Sequence, residues 1–79
     1  MWYFIIQQNT LERTQYQAIQ KRAVLTEVEL FNEPYENWYV FSVEKEDYQS
    51  FMNYLDREGI SYELVASRPT RSEMLDKMR

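Results

Sequence analysis

Trp38-Tyr39-Val40-Phe41-Ser42-Val43 decides the fold. Five of the six residues are aromatic or β-branched, which reads as a strand, and the stretch is apolar on both faces. A strand of that kind sits inside a sheet with cover on each side. One other stretch has the same character, Trp2-Tyr3-Phe4-Ile5-Ile6-Gln7 at the N-terminus. Two further stretches alternate instead. Val24, Thr26, Val28 and Leu30 interleave with Leu25, Glu27, Glu29 and Phe31, and Ser61-Tyr62-Glu63-Leu64-Val65-Ala66 does likewise. Alternation marks strands with one buried face.

The segments between the strands read as helices. Asn9 and Glu12 have the spacing of a capping box, which predicts a helix over 10–22 with Leu11, Gln15, Ala18, Ile19 and Arg22 along one side. That apolar stripe is narrow. Glu44, Glu46 and Asp47 then lead into Tyr48, Phe51, Met52 and Leu55 at helical spacing, and Gly59 supplies the left-handed stop. Between the second and third strands, the loop 32–37 breaks at Pro34. Past Arg68 and Pro69, Thr70 and Glu73 pair as a second capping box ahead of a short helix carrying Met74, Leu75 and Met78.

The order β-α-β-β-α-β places the two-sided strands in the centre of an antiparallel sheet ordered 4-1-3-2, with the alternating strands at the edges. Two right-handed crossovers put both helices on one face. The expected fold is α+β of the ferredoxin-like, split-βαβ type. Residues 1–67 form the domain and 68–79 a basic, Met-containing tail.

Composition narrows the function classes. The chain has 79 residues and neither Cys nor His, so thiolate chemistry, disulfides and Ser-His or Cys-His nucleophile pairs are all excluded. A single glycine rules out a Gly-rich phosphate loop. Glu44, Glu46 and Asp47 could attract Mg²⁺, but acids at a helix start are first a response to its dipole. Glu27 and Glu29 could act as an acid–base pair, but on an edge strand they more simply discourage pairing with another edge. No enzyme activity, metal or cofactor is expected. No apolar run approaches the ~20 residues of a membrane span, so the expected location is the cytoplasm.

Two binding readings follow. In RNA-recognition modules of this layout, aromatics on the first and third strands stack bases, and Trp2, Tyr3, Phe4, Trp38, Tyr39 and Phe41 occupy those strands. The third strand lacks the Gly and the basic residue of that module's signature. The chain is also acidic, at net −4, with ten acids against two bases between residues 27 and 66. Phosphate binding requires the opposite sign. Single-stranded RNA or DNA binding is therefore the alternative. The favoured reading is a small regulatory module, inhibitor- or adaptor-like, that binds a protein partner with a basic face or pairs with a second copy of itself. Its expected surface is the open sheet face, formed by Tyr3, Ile5, Trp38, Tyr39, Phe41, Glu27, Glu29 and Phe31. The tail bears Arg68, Arg71, Lys77 and Arg79 around its methionines, opposite in sign to the body. It is expected to dock on that face, of its own chain or another, through Arg71, Met74, Leu75 and Met78.

Overall fold

The computed structural model describes residues 1–78; Arg79, counted above among the tail cations, lies outside the described residues. The strands are β1 (Trp2–Gln7), β2 (Leu25–Glu29), β3 (Trp38–Val43) and β4 (Glu63–Val65), and the helices are α1 (Arg13–Gln20), α2 (Tyr48–Arg57) and α3 (Arg71–Met78). They form an α+β fold around one four-stranded sheet in the order β2-β3-β1-β4, with every neighbouring pair antiparallel. The two strands that are apolar on both faces are thus the central ones. No helix among the described residues is long and apolar enough to cross a membrane.

The register sorts every side chain to a face. Phe4 lies opposite Phe41, and Ile5 opposite Val40, so alternate residues of β1 and β3 line opposite sides of the sheet. On one side Phe4, Ile6, Phe41 and Val43 meet Ile19 of α1 and Phe51 and Leu55 of α2 in the larger core. Ring pairs tie this layer together, with centroids 4.6 Å apart for Phe4–Phe51 and 4.7 Å for Tyr16–Tyr39. On the other side Ile5 and Val40 meet Met74 of α3, flanked by Tyr3, Phe31, Trp38 and Val65. The sheet is therefore the middle of three layers.

α1 departs from the expected 10–22. Residues Gln8–Thr10 form a 3-10 turn, in which the Thr10 hydroxyl donates to the Gln7 carbonyl at 2.8 Å. Leu11 follows in extended backbone and packs on the larger core. The cap is Glu12, not Asn9, and its backbone N–H donates to Gln15 Oε1 at 3.0 Å. The cap lies three residues later because Leu11 is extended and separates the 3-10 turn from the helix. The remaining helix boundaries follow local chemistry more closely. Gly59 has φ of +70° one residue past the C-cap of α2, and Thr70 and Glu73 exchange backbone-to-side-chain hydrogen bonds of 3.2 Å across the start of α3.

Candidate functional site

α3 closes the sheet face that the sequence leaves open. Met74 is its one fully buried side chain, seated on Ile5 and Val40, while Leu75 and Met78 are half-buried. The Trp38 indole Nε1–H donates to Met78 Sδ at 2.8 Å. Pro69, also buried, turns the chain into position ahead of the helix.

Charge fixes the segment along one side of its path. The Arg68 guanidinium donates from Nε to Glu27 Oε1 at 2.9 Å and from Nη2 to Glu29 Oε1 at 2.7 Å, and from Nη1 to its neighbour's carbonyl, Pro69 O, at 2.6 Å. Arg71 Nη1 donates to the other Glu29 oxygen at 2.7 Å, its Nη2 to the Leu30 carbonyl at 2.6 Å, and its guanidinium lies 4.5 Å over the Phe31 ring. Lys77 pairs with Glu63 on the far side. Hydrogen bonds from Arg68 hold the Glu29 carboxyl below its ordinary range, with a further contribution from Arg71 and some opposition from burial. The same network, led by the bond to Glu27, pushes Arg68 above its ordinary value.

A pH dependence follows. Glu29 has a folded pKa lowered from its ordinary 4.5, so its pairing stabilises the fold in full above that value and is lost as pH falls through the lowered pKa. Thermal melts below pH 4.5 should therefore lose more stability in the native chain than in Glu29→Gln, whose side chain does not titrate. Parallel Tm-versus-pH curves for the two would show that Glu29 is not coupled to folding.

Tyr3, Ile5, Trp38, Glu27, Glu29 and Phe31 share the α3 side with Arg71, Met74, Leu75 and Met78. Tyr39 and Phe41 do not, which corrects the expected surface. Side chains on a strand alternate, so with Trp38 and Val40 under α3, Tyr39 and Phe41 must point to the α1–α2 layer, where Phe41 is fully buried. The six aromatics of β1 and β3 divide between the two packed layers, Trp2, Phe4, Tyr39 and Phe41 to one and Tyr3 and Trp38 to the other. With α3 in place they present no open platform for bases.

The exposed apolar surface is elsewhere. Val24, Leu25, Val28 and Leu30 are 57%, 52%, 45% and 62% exposed, and together with Met1 they are the large hydrophobic residues left in solvent among the described residues. All four belong to β2 or its flanks, and β2 has β3 on one side and no strand on the other. Val24, Val28 and Leu30 alternate with Glu27 and Glu29, which is the spacing of a buried face. Val28 lies opposite Tyr39 and so points to the helix side, but α1 is eight residues long with Ile19 as its one buried residue, and the three side chains stay in solvent. The narrow stripe of 10–22 was the signal for this.

Comparison with protein-family models, with curated proteins and with solved structures finds no match. The reading of the surface therefore rests on its own chemistry. Glu44, Glu46 and Asp47 are exposed at the start of α2, and no group of three acids among the described residues is placed to hold a metal ion. Two open clefts share Pro34, Tyr35 and Glu36 of the β2–β3 loop in their lining.

Proposed function

We propose that the chain is a non-catalytic protein-interaction module of the ferredoxin-like type, working in the cytoplasm as a regulator or adaptor, and that its docking surface is the free edge of β2. The observation that carries this is the row of exposed apolar side chains from Val24 to Leu30 beside a strand edge that no other strand covers, with only the Leu30 carbonyl at its end held by Arg71. An open edge offers backbone donors and acceptors to an extended segment of a partner, and the side chains beside it supply apolar contact. The absence of Cys and His, and of any Gly-rich loop, supports a binding role over a catalytic one. The sheet face that first suggests a partner site is engaged by α3, which leaves the edge as the better candidate.

The reading is tested with a displayed library of unstructured peptides about nine residues long, enough to span the strand. Retained peptides should be rich in alternating β-branched residues and should slow hydrogen exchange at the amides of Leu25–Glu29. Val28→Lys, at an exposed position, should weaken them about tenfold, the loss of roughly one buried aliphatic contact. Peptides that protect another segment, or that bind the variant equally well, would remove β2 as the docking surface.

A further inference from the structure

Two arginines distant in the chain converge on one ring of α2. The Arg22 guanidinium, just past α1, lies 5.0 Å from the centre of the Tyr54 ring, and that of Arg57 lies 5.4 Å from the same centre. Ser50, Asn53, Tyr54 and Arg57 recur at helical spacing along one face of α2, and with Arg22 they line an open cleft. We infer that this cleft binds a dianionic phosphate group, with Arg22 and Arg57 as charged donors and Ser50 and Asn53 as neutral ones.

The first argument is the state of the donors. Neither guanidinium has a carboxylate partner among the described residues, whereas Arg68, Arg71 and Lys77 are all paired. The Ser50 hydroxyl likewise makes no hydrogen bond among them. The Asn53 side-chain oxygen accepts from Gln49 Nε2 at 3.2 Å, so its NH2 is the group with bonds still to give. None of the residues lining the cleft is acidic.

The second argument is charge. Two cations held beside one ring repel each other, and attraction to the half-buried Tyr54 face offsets only part of that. A shared anion removes the repulsion. Guanidinium forks bond phosphate oxygens two at a time, and two forks match a phosphate monoester, which carries about −1.5 to −2 near pH 7. A carboxylate, with one charge and two oxygens, matches a single fork. Position on the helix adds to this. Ser50 lies in the first turn of α2, where the dipole favours negative charge, and side chains lean toward a helix N-terminus, which carries Arg57 back along Tyr54 toward Ser50. Exposed Glu46 and Asp47 precede Ser50 by one turn and weaken the field without lining the cleft. Inorganic phosphate should therefore bind in the millimolar range.

The test follows amide and arginine Nε–H resonances of the full chain while potassium phosphate replaces potassium chloride at constant ionic strength. The expected result is a saturable shift centred on Arg22, Ser50, Asn53, Tyr54 and Arg57. Arg22→Gln and Arg57→Gln should each weaken it at least tenfold, the loss of about one charge-assisted contact, with an unchanged circular dichroism spectrum. Lys45→Gln, which removes an exposed cation outside the cleft, should leave it unchanged. A free phosphate compound and a phosphorylated side chain of a protein partner present the same chemistry, and a short capped phosphoserine peptide separates them. Tighter binding of that peptide than of inorganic phosphate, through the same resonances, assigns the group to a partner chain. Equal or weaker binding assigns it to a free compound. The phosphate site is overturned by the lack of a saturable shift, by shifts spread over the other cations, or by arginine variants that bind no more weakly than Lys45→Gln.

Discussion

Ending the chain at Ser67 should lower the unfolding free energy by about 3–6 kcal/mol, against a total of about 4–12 kcal/mol for a domain of this length. The loss has two parts. Met74 is fully buried on Ile5 and Val40, and removing a buried Met side chain costs about 2–5 kcal/mol. Removal of Arg68 and Arg71 leaves Glu27 and Glu29 close together on one strand face without their counter-charges, a smaller cost because both sites touch solvent. Urea unfolding followed by tryptophan fluorescence measures this, since Trp38 lies directly under the lost segment. Met74→Ala in the full chain isolates the apolar part and should lower Tm by about 10–20 °C. A truncated chain with the native midpoint would mean that α3 does not hold the sheet.

Phe41→Ala should be equally severe, at about 3–5 kcal/mol. Phe41 is fully buried at the centre of the larger core, its ring 5.7 Å from Phe51 and 6.2 Å from Tyr16, so its removal leaves a cavity bounded by both α1 and α2. Leu30→Ser gives the contrast. Leu30 has a comparable apolar side chain just past the end of the neighbouring strand, yet it is mostly exposed, and its substitution should change stability by less than about 0.5 kcal/mol. Equal losses at the two positions would contradict the division between core and edge on which the docking surface depends.

That division shows how far residues alone can be read. Strand order was legible because a strand buried on both faces must be central, and Trp2–Gln7 and Trp38–Val43 are the two with that composition. Helix ends were legible where one residue type has one conformational use, as at Gly59, or where two side chains cap locally, as at Thr70 and Glu73. The start of α1 was not, because Asn9 and Glu12 have the spacing of a cap while Gln8–Thr10 close into a 3-10 turn that extended Leu11 separates from the helix.

The candidate surface was legible in part. Alternation put Glu27, Glu29 and Phe31 on one face together, and opposite charge matched the tail to the acidic body. Neither could say which side of Trp38–Val43 faces the helices, since both sides are apolar, and Tyr39 and Phe41 were consequently assigned with Trp38. Nor could alternation distinguish a covered edge from a bare one, because Val24, Val28 and Leu30 have the spacing of a buried face whether or not a helix reaches them.

The element types, the central pair of strands and the charge match between tail and body follow from neighbouring residues or from composition. Only the tertiary structure decided that α3 lies across its own sheet, that Phe41 faces α1 and α2, and that the outer edge of β2 is bare. Those outcomes depend on how far each helix extends over the sheet. That reach follows from packing residues distant in the chain, such as Met74 on Ile5 and Ile19 against the β1–β3 core, and no local pattern records it.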